Sequence, residues 1–265
     1  MVTARSTDSG VTPFAQGHLL RAAPAAPMIH IDRLTDGGPV LVLTPHPDDE
    51  SLGCGAAIAA ASRRGVAVTV AVVTDGRGSH PDAPGFPPER LVALRLRELR
   101  KAVATLTGSR LRAPARVVAL GERDQGIPLG DAAAQALHDR IGVLIDQTGA
   151  RAVWTTWAGD PHIDHQRVAA IARRLAAARP GLRLWQFPVW GRFTETVPGP
   201  HDRLYRFHTT ALRRVKARAV MCHRSQMTRL ITGDPQGFVM DAATRHHFID
   251  TPELFIGTRF IGSRP

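Results

Sequence analysis

The sequence is poor in cysteine and lacks long apolar runs. Its 265 residues include two cysteines, Cys54 and Cys222, which are too few for a disulfide framework. No stretch approaches the roughly 18 apolar residues that a membrane helix needs, and no apolar core follows the first charges, as a secretion signal would require. These absences lead us to expect a soluble, cytoplasmic protein with no membrane span.

Aromatic residues are also scarce, at 5% of the chain, whereas Lys and Arg outnumber Asp and Glu by 34 to 23, for a net charge of +11. A basic protein can bind nucleic acid through phosphate contacts. With few aromatic side chains for base stacking and no motif that reads bases, we expect no nucleic-acid partner. The alternative, a nucleic-acid-binding surface, would use the cations of a late helical segment, Arg213, Arg214, Lys216 and Arg218.

Strand-like and helical segments alternate along the chain as far as Leu184, which is typical of an α/β fold. A chain of this length can bury one large core, so we predict a Rossmann-like, mostly parallel sheet flanked by helices. The predicted strands cover residues 40–43, 66–73, 116–120, 153–157 and 182–187, and the predicted helices cover residues 52–64, 88–106, 131–147 and 166–179.

The pattern changes on both sides of this alternating region. After residue 187 come Pro- and Gly-rich turns, a strand-like segment at 204–208 and a basic helix at 211–226, which predict a small C-terminal α+β cap in the same domain. Residues 1–35 are rich in small residues and Pro without a sustained period, so we expect a flexible extension. Residues 36–265 would form the domain. Residues 79–88, with four prolines, predict a loop that flanks the pocket.

The densest group of reactive side chains is the segment 45–50, Pro-His-Pro-Asp-Asp-Glu, directly after the first predicted strand. Carboxylates this close repel one another unless a cation, a proton or a helix N-terminus compensates them. His46 and Asp49 can both reach one metal ion, while Asp48 stands beside it and can take a proton from water. Glu50 need not be a ligand, because it can accept backbone N–H groups. The alternative is a helix N-cap box.

A second polar segment, Asp-Pro-His-Ile-Asp-His at 160–165, follows the strand predicted at 153–157 and precedes a helix. If the two strands are neighbours in one parallel sheet, both segments meet at the carboxyl edge, where open α/β sheets bind ligands. Two histidines and one aspartate with a fourth position open make a catalytic zinc site. The alternative is two unrelated polar loops.

Both segments resemble the motifs of the PIG-L or LmbE-like zinc deacetylases, a family that includes the mycothiol-pathway N-acetylglucosaminyl inositol deacetylase. The first family motif, Ala/Pro-His-Pro-Asp-Asp-Glu, matches residues 45–50, and the second, His-x-Asp-His, matches residues 162–165. One departure is Asp160, which stands where the mycothiol deacetylase has Tyr, so that substrate is not implied. Shorter matches extend the resemblance over about residues 39–255: Arg95-x-x-Glu98, Leu120-Gly121-x-x-Asp124 and Lys216-x-x-Ala219-x-x-x-His223-x-Ser225-Gln226.

The resemblance implies a role for each motif residue. Asp48 would be the general base that activates a water molecule bound to the metal. His162 would stabilise the tetrahedral oxyanion or protonate the leaving amine, and Asp164 would orient His162. The cofactor would be Zn²⁺, with Fe²⁺ as the other metal that suits these donors. The metal ligands implied by the resemblance are His46, Asp49 and His165.

The shorter matches each have two interpretations. Asp124 resembles a family position that contacts substrate hydroxyls, although an Asp before Gln-Gly also suits an ordinary turn. Arg95 and Glu98 form either an exposed helical pair or a support beneath the site. Asp164 alternatively caps the next helix. A helix C-terminus and a wall of the site are the two interpretations of His223, Ser225 and Gln226.

The resemblance implies a zinc-dependent hydrolase that removes an N-acyl group, expected to be acetyl, from an amino sugar of the N-acetylglucosamine type. The substrate partner would be a small molecule, a glycoconjugate or a natural-product glycoside. A mycothiol-conjugate-type amidase would use the same chemistry on a larger amide. A non-catalytic sugar-binding protein is opposed by the intact motif residues. A homo-oligomer is compatible with the sequence, which does not decide the oligomeric state.

Overall fold

A seven-stranded sheet forms the centre of the protein. The computed structural model describes residues 17–108, 115–128, 130 and 132–258. The strands are Val40–Thr44 (β1), Val68–Thr74 (β2), Arg116–Glu122 (β3), Ala152–Thr156 (β4), Arg183–Phe187 (β5), Asp202–Phe207 (β6) and Glu253–Thr258 (β7). They lie in the order β3-β2-β1-β4-β5-β7-β6. Strands β1 to β5 pair in parallel, whereas β7 runs antiparallel between β5 and β6.

Helices cover both faces of this sheet. The helices are His18–Ala22 (α1), Ile31–Thr35 (α2), Asp49–Arg63 (α3), Pro88–Thr107 (α4), Ala132–Thr148 (α5), Ile163–Ala177 (α6), Arg213–Val220 (α7), Arg224–Met227 (α8) and Ala242–Asp250 (α9). Short 3-10 turns lie at Ala23–Ala25, Arg77–Ser79, Trp190–Phe193 and Thr210–Leu212. None of these described helices combines the length and the apolar character that a bilayer crossing requires.

The alternation of side chains along β1 produces two separate cores. Val40 and Val42 pack with residues of α3, α4 and α7 on one face of the sheet. Leu41 and Leu43 pack with residues of α5 and α6 on the other face. A strand buried on both faces has a continuous apolar sequence, which is characteristic of a parallel sheet between helices. The predicted α/β class with a mostly parallel sheet is confirmed.

The strand order brings the two polar segments side by side. β1 pairs with β2 on one side and with β4 on the other, with Leu43 opposite Thr155 near the carboxyl ends. The chain leaves β1 and β4 in opposite directions across the sheet, which opens a crevice between their carboxyl ends. The segments 45–50 and 160–165 follow these two strands and therefore enter the same crevice.

The predicted elements of the alternating region agree with the structure within three residues. The predicted start of α5, Asp131, lies outside the described residues. Helices α3 and α6 each begin three residues earlier than predicted. Their polar first turns, which include Asp49 and Asp164, belong to the helix although they interrupt the apolar pattern.

Residues 17–35 pack against the domain, so the predicted flexible extension is wrong for this part. Leu19 and Leu34 are fully buried, and Leu19 belongs to a hydrophobic cluster that includes Trp157. Met28 forms a parallel bridge with Arg206 of β6. The apolar residues of this stretch are too few to show a period, yet they fill gaps between other elements. Residues 1–16 lie outside the described residues.

The C-terminal part extends the main sheet through β6 and β7 instead of forming a separate layer of strands. The basic helix predicted at 211–226 is divided into a 3-10 turn, α7 and α8. One of the four predicted cations, Lys216, is fully buried and is not available to an external anion. Arg213 lies 2.6 Å from the carboxylate of Asp250 and stays largely exposed. The burial of Lys216 removes one cation from the nucleic-acid alternative.

Helix α3 is interrupted at Cys54, whose backbone has φ −141° and ψ 22°. Side chains from the C-terminal part bind the backbone groups on both sides of this interruption. Glu253 of β7 accepts the N–H groups of Ala56 and Ala57 at 2.6 and 2.9 Å. Lys216 of α7 donates to the same carboxylate at 2.7 Å and to the carbonyl of Leu52 at 2.9 Å. Both charged side chains are fully buried. Each neutralises the charge of the other, and together they satisfy the backbone groups of α3 that the interruption leaves without helical partners.

Candidate metal centre

The loop between β1 and α3 holds the first polar segment in a strained shape. Asp48 has φ 146° and ψ −26°, which costs a non-glycine residue about 1–3 kcal/mol. Two hydrogen bonds support this backbone: the Asp48 N–H donates to Glu50 Oε2 at 3.1 Å, and Arg95 donates to the carbonyl of Pro47 at 2.9 Å. Strain that neighbours hold in this way is common at functional sites.

His46 lies at the centre of the polar segments. Its Nδ1 is 3.4 Å from Asp49 Oδ2, and its Nε2 is 3.2 Å from Asp124 Oδ1 and 3.3 Å from Asp164 Oδ2. Asp49 Oδ2 also accepts the backbone N–H of His46 at 2.9 Å. Burial lowers the pKa of His46, but hydrogen bonds with Asp124, Asp164 and Asp49 outweigh burial and raise the pKa well above its usual value. The imidazole therefore sits in a strongly anionic surrounding.

Three imidazole rings meet at this point. The ring centroid of His46 is 4.6 Å from that of His162 and 5.4 Å from that of His165, and the other two centroids are 5.0 Å apart. His165 Nε2 lies 3.4 Å from Asp49 Oδ2. The structure thus brings the three predicted metal ligands together, with a carboxylate oxygen of Asp49 near both His46 and His165.

His162 caps α6. Its Nδ1 accepts the backbone N–H of Asp164 at 3.2 Å, so the neutral ring carries its proton on Nε2. Burial and the nearby rings of His46 and His165 lower the pKa of His162 to about 4. The predicted pairing of the Asp164 carboxylate with His162 is not the one formed. Because His162 turns toward its own helix, Asp164 Oδ2 instead accepts the N–H of Gln125 at 2.8 Å and faces His46.

Asp48, the predicted base, pairs with a buried arginine. Its Oδ2 lies 3.3 Å from Arg95 Nη2. Burial raises the pKa of Asp48 to about 6, and Arg95 opposes this rise. Arg95 and Glu98 are both buried, and Glu98 accepts the N–H and hydroxyl of Ser225 at 3.0 and 2.6 Å. Of their two interpretations, the structure shows a support beneath the site.

The C-terminal segment supports the first motif from behind. His223 Nε2 lies 2.9 Å from Glu50 Oε1, and both side chains are buried. Gln226 donates to Ser79 Oγ at 3.2 Å, which ties α8 to the loop predicted to flank the pocket. The 3-10 turn Arg77–Ser79, which leads into this loop, reaches the site, because the N–H of Gly78 donates to Asp124 Oδ2 at 3.0 Å. These contacts place the late residues in the shell around the site.

Asp124 is part of the site and part of a turn at once. Its Oδ1 faces His46, while the next residue, Gln125, has φ 60°. Burial raises the pKa of Asp124, but the hydrogen bond and charge of His46 hold that pKa well below its usual range. The two interpretations of Asp124 are therefore compatible, and its contact with a substrate stays a prediction.

Sequence reasoning missed Asp160. This carboxylate is fully buried, with Oδ1 3.4 Å from His165 Nδ1, and Oδ2 accepts the N–H groups of Val189 and Gly191 at 3.0 Å each. Burial raises the pKa of Asp160, but His165 and these hydrogen bonds lower it overall. The available signal was a carboxylate inside a histidine motif, because metal-binding histidines commonly pair with one.

The donor set fits a divalent cation. His165 Nδ1, His165 Nε2 and Asp164 Oδ1 are buried and lack a hydrogen-bond partner among the residues that the structure describes. Buried polar atoms without partners are costly, and a cation would satisfy them. Two groups of described residues place their donor atoms within 4.8 Å of one another: His46, His162 and His165, and His46, Asp124 and Asp164. Asp49 is in neither group, although its Oδ2 lies 3.4 Å from a ring nitrogen of both His46 and His165.

Comparison with known families agrees with the two polar segments. A family model described as PIG-L, GlcNAc-PI de-N-acetylase, matches residues 41–176, just over half of the chain. The chain belongs to the PIG-L family. The matched PIG-L region runs from β1 to α6 and contains both polar segments. It does not include the supporting residues Lys216, His223 and Glu253.

Solved structures share this PIG-L fold. The N,N′-diacetylchitobiose deacetylase from Pyrococcus horikoshii is 21% identical, with a TM-score of 0.61 over 76% of this chain and 75% of that chain. A triple mutant of a deacetylase from the teicoplanin biosynthetic pathway is 21% identical, with a TM-score of 0.62 over 85% and 100%. GalB, the 4-carboxy-2-hydroxymuconate hydratase from Pseudomonas putida KT2440, is 17% identical, with a TM-score of 0.57 over 70% and 78%. None of the curated proteins matches the chain.

At these identities the likeness to solved structures shows the fold alone. A hydratase with the same fold means that the reaction has to be argued from the side chains of this PIG-L site.

Proposed function

We propose that this PIG-L protein is a metal-dependent hydrolase that removes the N-acetyl group from an amino sugar of the N-acetylglucosamine type, within a glycoconjugate or natural-product glycoside. The observation that carries the proposal is the buried Asp48 carboxylate beside the cluster of His46, Asp49 and His165. The family description, GlcNAc-PI de-N-acetylase, supports an N-acetylated amino sugar as the substrate class. The diacetylchitobiose deacetylase shows that the same fold can act on a substrate of this class.

His46, Asp49 and His165 would hold the divalent ion. Zn²⁺ suits two imidazoles and one carboxylate with a further position open, and Fe²⁺ suits the same donors. When bound there, the ion would supply Lewis-acid polarisation of a water molecule and of the amide carbonyl. The unpartnered nitrogens of His165 support its place in this set.

Asp48 is proposed to take a proton from the attacking water. The water oxygen bonds to the amide carbon, the C–N bond then breaks, and the proton held by Asp48 passes to the leaving amine. The pKa near 6 suits this exchange, because a base works best when its pKa lies near the working pH. Arg95 and the strained backbone of Asp48 fix the direction of the carboxylate.

His162 is proposed to donate a hydrogen bond from Nε2–H to the oxyanion that forms on the amide oxygen. Its Nδ1 is occupied by the backbone N–H of Asp164, so Nε2 is the donor nitrogen. The lowered pKa favours a neutral ring. This supports oxyanion stabilisation over proton donation from an imidazolium.

Replacing His162 with Ala should lower kcat by about 100- to 1,000-fold, the usual effect of losing one oxyanion donor, while the metal content stays at the wild-type level. The matched control is His162→Ser, whose hydroxyl can still cap α6 but cannot reach the substrate. It should be as slow as His162→Ala. Loss of metal in the Ala variant would make His162 a ligand and overturn the proposed ligand set; wild-type turnover would reduce it to a helix cap.

The proposal as a whole is tested by metal analysis together with amine release from a panel of N-acetylglucosaminides, before and after chelation. We expect near-stoichiometric metal and release that chelation abolishes. The variants His46→Ala and His165→Ala should lose both metal and activity. Metal without amine release would favour the amidase with a larger amide substrate, and a purified, folded protein that takes up no divalent metal would overturn the proposal.

A further inference from the structure

Asp160 has no part in the mechanism above, although it is one of the most tightly held carboxylates of the site. Its side chain is fully buried. It accepts the N–H groups of Val189 and Gly191, and its Oδ1 also lies 3.4 Å from the backbone nitrogen of His162.

The imidazole of His165 lies between two carboxylates. Its Nε2 faces Asp49 and its Nδ1 faces Asp160, each at 3.4 Å. Both ring nitrogens are buried and lack a hydrogen-bond partner among the described residues. A histidine can bind a metal only through a nitrogen without a proton, so the group at the other nitrogen decides which one is free.

The second oxygen of Asp160 is fixed by the turn Trp190–Phe193. This turn lies against Asp160 itself, since a Cβ on Gly191 would lie 3.4 Å from the Cα of Asp160. The adjoining ring of Trp190 contacts Phe238 with centroids 5.9 Å apart. The N–H of Phe238 in turn donates to the carbonyl of Ser79 at 2.7 Å. Asp160 is therefore attached to a wall that reaches across to the loop 79–88.

We infer that Asp160 is a positioning residue that accepts the Nδ1–H of His165, leaves Nε2 free for the metal, and couples this ligand to the turn Trp190–Phe193. The inference rests on the proposed function only in requiring a metal at His165. It needs no particular substrate. The turn beside the site and the ligand that holds the metal would then share one carboxylate.

The test is Asp160→Asn, measured as the affinity of the metal-free protein for Zn²⁺ by competition with a chromophoric chelator. The Asn oxygen can keep the hydrogen bonds from Val189 and Gly191. Its NH₂ group then faces His165 Nδ1, which favours the tautomer with the proton on Nε2, the nitrogen that must bind metal. We expect Zn²⁺ affinity to fall by about 10- to 100-fold with an unchanged circular dichroism spectrum.

The matched control is Asp241→Asn, because the carboxylate of Asp241 also accepts a backbone N–H, from Thr244 at 2.8 Å, at the start of α9. It should keep the wild-type Zn²⁺ affinity. A folded Asp160→Asn protein with wild-type affinity would overturn the inference. If this variant does not fold, ¹⁵N NMR of the wild-type Zn²⁺ complex decides. A slowly exchanging Nδ1–H on His165 supports the inference, and a proton on Nε2 overturns it.

These readings separate the two proposals. Wild-type protein without Zn²⁺ affinity contradicts the proposed function itself. If the wild type and Asp160→Asn bind Zn²⁺ with the same affinity, only the role of Asp160 is contradicted.

Discussion

Replacing Asp48 with Asn should lower kcat for N-acetyl hydrolysis by about 100- to 10,000-fold, the range for losing a general base, while the protein keeps its metal. Asn has the shape of Asp, tolerates positive φ better than most residues, and can still accept a hydrogen bond from Arg95. The strained loop should therefore survive and only the ability to take a proton should be lost. The measurements are steady-state kinetics on the preferred N-acetylglucosaminide and metal content.

Asp241→Asn again serves as the control, since it removes a carboxylate that caps α9 and should leave kcat at the wild-type value. Two outcomes would count against the assignment of the base. Wild-type turnover of Asp48→Asn would show that another group takes the proton. Loss of metal would make Asp48 a ligand.

Breaking the buried pair of Lys216 and Glu253 should strongly destabilise the protein. Glu253→Gln leaves the ammonium of Lys216 buried without its counter-charge, and the removal of one partner from a buried pair costs about 3–5 kcal/mol. The same exchange weakens the cap on the second half of α3. The measurement is the free energy of unfolding from urea titrations, followed by tryptophan fluorescence and circular dichroism.

The double variant with Lys216→Met and Glu253→Gln should lose less free energy of unfolding than the sum of the losses in the two single variants. Each exchange removes the charge that the other exchange would leave without a partner. Asp146→Asn, which breaks the exposed pair with Arg179, should leave the urea midpoint nearly unchanged. A Glu253→Gln midpoint equal to that of the wild type would show that the ion pair does not hold α3 together.

The centre of the sheet could be predicted because strands β1, β2 and β4 are buried on both faces. A run such as residues 40–43 is apolar at every position and is followed by turn and helix signals, so the strand can be recognised from its own sequence. The C-terminal strand β7 carries no comparable mark. It begins with Glu253, whose charge is useful only because Lys216 and the broken turn of α3 lie opposite. The break at Cys54 also depends on this distant partner.

The meeting of the two polar segments could be predicted from parallel-sheet topology, since the carboxyl ends of neighbouring strands share one edge. Which carboxylate serves which imidazole could not. Asp164 follows His162 by two residues in sequence, but the helix start directs its carboxylate toward His46. Asp160 faces His165, five residues later, only because α6 turns that ring back toward it. Side-chain direction at a helix N-terminus decides both pairings.

Because helix α3 is interrupted, the site depends on residues from the C-terminal part of the chain. The region that matches the PIG-L family model ends at residue 176, yet Glu50 takes its partner from residue 223 and the second half of α3 takes its cap from residue 253. A fragment cut at the end of that region would carry every proposed ligand, but the buried Glu50 would lack its histidine partner and the second half of α3 would lack its cap. The two polar segments therefore depend on the whole domain and would not keep their structure if they were moved to another protein with the matched region alone.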